Sequence, residues 1–447
     1  MQLTEIAAGR IVTAFIITQM KVLVIGGGGR EHALVWKIKQ SPLVEKIWCL
    51  PGNDGIANEA ECHPIEVSNI PRIVEFAEDN QPDLVVIGPE LPLVLGLADE
   101  LRARGLAVVG PGKKSARLEG SKVFAKEFMQ RHKIPTAKMH GVYGSPIGAK
   151  AALDRLPLPI VVKADGLCGG KGVLVADTKA DAGPFLDHVM DVANYSGAGR
   201  PVVLEEKLIG EELSYIILTD GRTVVPMAPC RDYKRAFDGD LGGNTGGMGA
   251  FSVDGLLAPE IEDRIQNEIV KPTLDGLAKE GIPYTGFLYF GLMLTADGPR
   301  LLEYNCRLGD PETQAIVLRA DFDFAKMLLD SADGRLKDSQ PNWSPAASVY
   351  VVLAAAGYPD RPRTGDPISG LDAVPSDGVA IFHAATRRLG DTYYTGSGRV
   401  LGVGASGPSL DSSRAAVYDA ISIISFEGYH YRSDIGAFPK RHSPPSS

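Results

Sequence analysis

The stretch KVLVIGGGGREHALVWKI, Lys21 to Ile38, decides the fold. KVLVI is a short apolar run of the kind that becomes a fully buried strand, GGGG is a turn, and the residues after it place Ala33 with Trp36 and Leu34 with Ile38 at helical spacing. Strand, glycine turn and helix in that order open an α/β domain. Working outward, short apolar runs at 46–50, 84–87 and 107–109 alternate with helical stretches at 70–78 and 93–104. That alternation is the pattern of an open parallel sheet, which should close near Gly120.

The whole chain of 447 residues has room for about three domains. Hydrophobic residues make up 44% and charged residues 23%, the balance of an ordinary globular protein. The apolar run 11–17 is far short of the roughly 18 residues a membrane span needs, so no membrane partner is expected. A net charge of −9 argues against a nucleic-acid partner, whose phosphates call for a basic surface. Five scattered cysteines, none in a C-x-x-C pair, indicate neither a disulfide framework nor a zinc site, which suits a reducing cytoplasm. Residues 1–19 lack signal-peptide features and read as an extension or an upstream start, because Met20 immediately precedes a strand.

Beyond the first domain, 121–131 forms a helix with Phe124 over Phe128 and Ala125 over Met129. Strands at 160–163 and 172–175 belong to a small lid subdomain spanning about 140–207, inside a central domain of 121–338. Strands at 202–205 and 214–218 follow, then a polar, glycine-rich stretch, 238–249, expected to be a long functional loop. The runs 287–295 and 300–307 flank an Ala-Asp-Gly-Pro turn and form a hairpin. Strands at 348–355, 379–384 and 399–403 and a helix at 411–423 make a C-terminal α+β domain, 345–436. The tail 437–447 is expected to be disordered.

Five constellations carry the chemistry. Backbone N–H groups of the turn Gly26 to Gly29, with Arg30, can face a phosphate at a helix N-terminus. The third glycine of a G-x-G-x-x-G motif falls on Glu31, which disfavours a dinucleotide oxidoreductase and favours a mononucleotide or sugar phosphate. Asn53 and Glu90 stand just past strand ends, where open α/β sheets bind ligands. In KADGLCGGKGV, Lys163 ends a strand and Lys171 lies in a glycine loop that could cover polyphosphate oxygens; Gly172 and a β run after Lys171 exclude a Walker loop. Glu205, Glu206, Glu211 and Glu212 cluster around a strand end and, taken alone, are more consistent with a solvated charge run.

In RLLEYNCRLGDPETQ, a period of two puts Glu303, Asn305 and Arg307 on one strand face. A carboxylate and an amide oxygen two apart suit Mg²⁺, which takes few protein oxygens and completes its shell from phosphates and water. Arg307 could hold a developing acyl or phosphoryl anion. The loop NTGGMGA, with Lys234 and Arg235 nearby, could bind a carboxylate or phosphate through its backbone amides.

At these residues the chain resembles the glycinamide ribonucleotide synthetases, or phosphoribosylamine-glycine ligases, of the ATP-grasp superfamily. GGGGREHA, PGN, GPE, LEGSK, KADGL, GKGV, EEKLIGEE, NTGGMGA, YTGFLY, EYNCRLGDPETQ, AAAGYP and SDIG occur in order from about Met20 to Gly436. The resemblance implies a pre-ATP-grasp N-terminal domain, a central ATP-grasp fold with its lid, and a third domain. It also implies that ATP phosphorylates the glycine carboxylate and that the amine of 5-phosphoribosylamine displaces phosphate, a step of purine biosynthesis.

By that likeness, Lys122, Lys163 and the loop with Gly166, Gly169, Gly170, Lys171 and Gly172 hold ATP phosphates. Glu205 and the Leu208 backbone read adenine, Glu212 holds the ribose, and Glu206 and Met293 complete the ATP site. Glu303 and Asn305 are the Mg²⁺ (or Mn²⁺) ligands; Arg307 and Lys163 are catalytic. Gly28, Gly29, Arg30, Glu31, Asn53, Gly88, Pro89 and Glu90 take the phosphoribosylamine. Asn244, Thr245, Gly246, Gly247, Met248, Arg307, Asp310, Pro311 and Glu312 take glycine and its acyl phosphate. The chain is expected to act as a cytoplasmic monomer, with transient handover of the unstable amine from the preceding pathway amidotransferase. Three positions depart from the family: Cys168 and Gly169 replace small alanines, and Tyr233 stands where His is usual. An oxidoreductase, an ATP-grasp ligase for another acid or amine, and a non-catalytic ATP-binding module are the competing classes.

Overall fold

The structure, a computed structural model, describes residues 19–169, 171–191, 201–336 and 341–437. Gly170, most of the N-terminal extension and the tail from 438 fall outside those residues. The first unit is a parallel sheet of Met20–Gly26 (β1), Val44–Pro51 (β2), Glu61–Cys62 (β3), Leu84–Ile87 (β4) and Val108–Val109 (β5). Their order, β3-β2-β1-β4-β5, reverses direction at β1 and β4. The crevice at such a switch point, beyond the strands' carboxyl ends, is where open α/β sheets bind ligands. The turns 26–29 and 88–90 both open into it. The helix expected at 93–104 is broken: Gly96 sits at φ +100, and separate helices Glu90–Leu95 and Leu97–Arg102 result.

Met139–Tyr143 (β6), Ile160–Ala164 (β7), Val173–Ala176 (β8) and Val202–Glu206 (β9) make the lid, an antiparallel sheet in the order β6-β9-β7-β8. Helices Pro146–Leu153 and Lys179–Met190 cover one face and enclose a core of its own around Leu153, Val162, Leu186 and Leu204.

Glu211–Thr219 (β10) and Val224–Pro226 (β11) lead into Arg231–Asp232 (β12), Arg235–Phe237 (β13), Leu241–Asn244 (β14) and Gly249–Ser252 (β15). The stretch expected to be a long loop therefore contains a strand, β14, which pairs with β13 as a two-stranded ribbon. Local polarity and glycine content hid that pairing from the sequence. Gly286–Thr295 (β16) and Gly298–Asn305 (β17) form the expected hairpin in a sheet of order β11-β10-β16-β17, and the strand ends at Asn305, before Arg307.

The last strands are Ala347–Ala354 (β18), Pro367–Ile368 (β19), Val379–His383 (β20), Thr386–Leu389 (β21), Thr392–Thr395 (β22) and Arg399–Gly407 (β23). Their main sheet runs β12-β15-β18-β23-β20, so two strands of the central region are built into the C-terminal sheet. A sequence division near 345 does not separate these layers.

Candidate active site

The site is organised around the end of β17. Tyr304 points into the core, edge-on to Phe290 at 5.6 Å, with its hydroxyl 2.8 Å from Thr273 Oγ1. The alternation of the strand therefore turns Glu303 and Asn305 to the opposite face. Burial pushes the Glu303 carboxyl up, but the charges of Lys234, Lys163, Lys122 and Arg307 outweigh it and hold the group below the usual carboxylate range. An ionised carboxylate among lysines is the condition for holding a cation together with polyphosphate. The Asn305 amide is satisfied with its nitrogen donating to Glu119 Oε1 at 3.1 Å and to Tyr304 O at 3.2 Å.

A divalent ion fits these residues only as a shared one. Among the described residues no group of three or more His, Cys, Asp or Glu side chains is arranged to hold a metal. Glu303 and Asn305 suit an ion whose other ligands come from substrate phosphates and water.

On the ATP side, Lys163 Nζ donates to Leu302 O at 2.9 Å and pairs with Glu205. The other Glu205 oxygen lies 2.7 Å from Lys126 Nζ, and both Glu205 and Lys126 are buried. The Glu205 carboxylate is thus committed to two lysines and braces the lid strands against the helix Lys122–Arg131. Neither carboxylate oxygen is left over for the adenine reading expected of Glu205, and Leu208 lies in the connector between β9 and β10. Lys126 gave no signal in the sequence, being one lysine among several on a helix. Lys122 Nζ donates to Gly166 O at 2.9 Å. Gly166 and Gly169 take φ +83 and +55, values that favour glycine. Cys168 packs against Gly172, where any Cβ would lie 2.6 Å from the Cys168 Cβ. Lys171 is exposed beside them. Glu206 accepts from Lys138 N at 2.8 Å, and Glu212, facing Met293 across the β10–β16 ladder, pairs with Lys234 at 3.0 Å.

On the opposite side, Glu31 Oε2 accepts the Gly28 N–H at 2.7 Å and Glu31 Oε1 holds Arg30 Nε at 2.6 Å. Its carboxylate fills the space where a Cβ on Gly26 or Gly88 would stand, which explains glycine at both positions. Glu31 therefore shapes the turn and aims Arg30, whose Nη1 also donates to Leu308 O at 3.2 Å. Asn53 is similarly occupied: Nδ2 donates to Gly27 O at 2.8 Å and His383 O at 2.9 Å, and Oδ1 accepts from Gly55 and Ile56 N–H groups, both at 2.9 Å. It ties the first sheet to the C-terminal one. Pro89 caps the short helix that begins at Glu90.

Arg307 joins the two sides. Its Nη2 is 2.9 Å from Glu119 Oε1, a residue the sequence reading did not single out. Glu119 Oε2 in turn accepts the Cys306 N–H at 2.7 Å. Arg307 Nε is buried without a hydrogen-bond acceptor, its nearest carboxylate being Glu90 Oε2 at 3.4 Å. A buried guanidinium N–H left over in this way is suited to an anion that arrives with substrate.

The glycine loop is fixed from the C-terminal domain. Arg399 Nη1 donates to Gly246 O and Asp310 O, both at 2.8 Å, and Nη2 pairs with Asp310 Oδ2 at 2.9 Å. Asp310 is thereby tied up in orienting the loop. Gly247, at φ +114, lies so close to Pro311 that a Cβ would stand 2.3 Å from its Cδ. Thr245 Oγ1 donates to Lys234 O at 2.8 Å, Met248 is fully buried, and Asn244 sits opposite Arg235 in the ribbon. Ser214 Oγ donates to Glu312 Oε1 at 3.0 Å and lies 2.9 Å from Tyr289 OH. Beside them burial, with Glu312 and Glu212 adding to it against the pull of Lys234, pushes the Asp232 carboxyl up to about 7. Tyr233 faces away from this cluster: its hydroxyl accepts the Gly436 N–H at 3.0 Å and its ring lies 4.7 Å from the Arg432 guanidinium.

A three-layer assembly with a lid sheet, a phosphate-side lysine set and a carboxylate-amide pair on one strand defines an ATP-grasp enzyme, the class that uses ATP with a divalent metal. The chain matches the models of the phosphoribosylglycinamide synthetase N domain over residues 20–119, its ATP-grasp (A) domain over 120–313 and its C domain over 348–438. It belongs to the phosphoribosylglycinamide synthetase family. It is 48% identical to a phosphoribosylamine-glycine ligase of Allochromatium vinosum, over 93% of this chain and 98% of that protein. The crystal structure of a phosphoribosylamine-glycine ligase from Thermotoga maritima superposes with TM-score 0.81 at 37% identity, covering 93% of this chain and 100% of the other. A biotin carboxylase domain from Hydrogenobacter thermophilus, solved with MgADP, shares the fold at TM-score 0.70 and 19% identity, covering 92% of each chain. Among the described residues no helix is long and apolar enough to cross a membrane.

Proposed function

We infer that this chain joins glycine to 5-phosphoribosylamine at the expense of ATP, giving glycinamide ribonucleotide, ADP and phosphate through glycyl phosphate. The observation that carries the reading is the end of β17: Glu303 lies ionised among lysines, Asn305 shares its strand face, and the buried Arg307 Nε beyond them has no hydrogen-bond acceptor. A carboxylate is a poor electrophile, so it must first gain a leaving group; phosphorylation provides one, and cations offset the charge where γ-phosphate meets carboxylate.

Lys122 and Lys163 hold the phosphates, with Gly166, Gly169, Gly170, Lys171 and Gly172 covering them; Glu303 and Asn305 would hold Mg²⁺ or Mn²⁺, which would supply charge neutralisation for the phosphoryl group. Arg307 and the loop Asn244 to Met248 keep the glycine carboxylate and its acyl phosphate in line. The amine attacks the acyl carbon from the side of Arg30 and Glu90, the C–N bond forms, and phosphate leaves. No general base is required beyond solvent for the proton the amine loses.

The deciding experiment measures phosphate release from ATP and Mg²⁺ with glycine and phosphoribosylamine each omitted in turn, the amine being formed in situ from ribose 5-phosphate and ammonia. Release that needs both is expected. Release that ignores glycine and responds to another acid would keep the ATP-grasp chemistry and overturn the substrate.

A further inference from the structure

All five cysteines are free thiols, and two of them, 13 positions apart by number, are brought together by the first sheet. Cys49 of β2 and Cys62 of β3 are direct partners in the parallel ladder. Adjacent strands lie about 4.8 Å apart, inside the Cα separation of roughly 4.4–6.8 Å that a disulfide accepts. Direct partners in a parallel ladder project to the same face of the sheet, so the two side chains stand side by side. Both also touch a point on the loop between them: a Cβ on Gly52 would lie 2.3 Å from Cys62 Sγ and 3.6 Å from Cys49 Cβ. Strand β3 is a two-residue edge strand, Cys62 is half-buried, and Cys49 lies behind it in the core.

We propose that Cys49 and Cys62 form a reversible thiol-disulfide site, oxidised by a hydroperoxide, that acts on the two loops of the phosphoribosylamine side. The Cys62 thiolate attacks the O–O bond; one oxygen stays on sulfur as sulfenic acid and the other leaves as water or an alcohol after taking a proton. The Cys49 sulfur then attacks the Cys62 sulfur, the S–S bond forms, the S–O bond breaks, and the departing hydroxide takes the Cys49 thiol proton as a second water. Two thiols lose two electrons and two protons, and the peroxide is reduced.

The order of attack follows from the surroundings. Its neighbour Cys49 draws the Cys62 thiol below its usual range, whereas that same proximity and burial push Cys49 well up. The half-buried sulfur of the edge strand is thus the nucleophile and the fully buried one the resolving thiol.

Closure removes two S–H donors. Cys49 Sγ donates to Gly26 O at 3.2 Å and Cys62 Sγ to Asn53 O at 3.9 Å, so one holds each loop. The claim that these loops serve the amine rests on the function proposed above; the thiol chemistry does not. The test treats the full-length enzyme with hydrogen peroxide, maps cross-linked peptides by mass spectrometry, and measures phosphate release before oxidation, after it, and after dithiothreitol. A Cys49–Cys62 cross-link losing two hydrogens is expected, with a several-fold rise in KM for phosphoribosylamine, unchanged KM for ATP, and recovery on reduction. Cys62→Ser and Cys49→Ser should each match the untreated enzyme and resist peroxide. Oxidation of Cys62 or Cys168 without a cross-link overturns the site, as does a cross-link that leaves KM unmoved. Phosphate release that never depended on phosphoribosylamine would instead overturn the substrate reading, leaving the mapped cross-link to stand by itself.

Discussion

The two sides of the active site are built in opposite ways. On the proposed ATP side stands a small antiparallel lid with its own core, tied to the body by the buried ion trio Lys126, Glu205 and Lys163 and by Lys122 to Gly166 O. The amine and glycine side is held by all three layers at once, through Asn53 to His383 O, Arg399 to Asp310, and Arg307 to Glu119. A lid that has to admit and release nucleotide gains from few anchors. A side that has to align a carboxylate with an attacking amine gains from many, since misplacement by about 1 Å can cost about 100-fold.

The contrast is broken most severely at the end of β17. Glu303→Gln should lower ADP formation by about 100- to 1,000-fold, measured by a coupled assay, because it removes the negative charge that would hold the divalent ion beside the phosphates; unchanged turnover would remove Glu303 from the metal site. The buried ion trio of the lid is tested by Lys126→Met. Taking one partner from a buried ion pair commonly costs about 3–5 kcal/mol. Lys163 remains to hold Glu205, so a loss of about 2 kcal/mol in urea unfolding is expected, with KM for ATP rising more than KM for glycine.

On the other side, Arg399→Ala should raise KM for glycine about tenfold, equivalent to about 1.4 kcal/mol, and leave KM for ATP unchanged. A change in ATP affinity would show that the two sides are not separately braced. A separate effect is a pH dependence of stability. Asp232 has its folded pKa raised to about 7, above the unfolded value of about 4, so the folded state binds the extra proton between those limits. Its contribution is fully present below about pH 4 and is lost as pH rises to about 7. Urea unfolding across that window should show Asp232→Asn losing less stability than the parent.

Much of this was legible in the chain. The run from Lys21 to Ile38 set strand, turn and helix because apolar spacing and glycine act locally. The alternation from Glu303 to Cys306 placed a polar face opposite a core face for the same reason. The hairpin β16–β17 followed from its turn. Lys126, Glu119 and Arg399 were not legible. Each is an ordinary charged residue in its own segment and acquires meaning only from a partner 79, 188 or 89 positions away. The ribbon β13–β14 was missed because pairing, not propensity, makes a strand of Leu241–Asn244.

The sequence by itself determined where the chain turns, which faces are apolar, and which motifs stand at strand ends. Those properties depend on neighbours a few residues apart. Only the tertiary structure decided that Glu31, Asn53 and Asp310 spend their polar atoms on shaping the site, and that Arg307 keeps one buried N–H without an acceptor. Whether a side chain is occupied depends on the hydrogen-bond partners that folding brings to it from distant segments, and burial then makes each match or mismatch count.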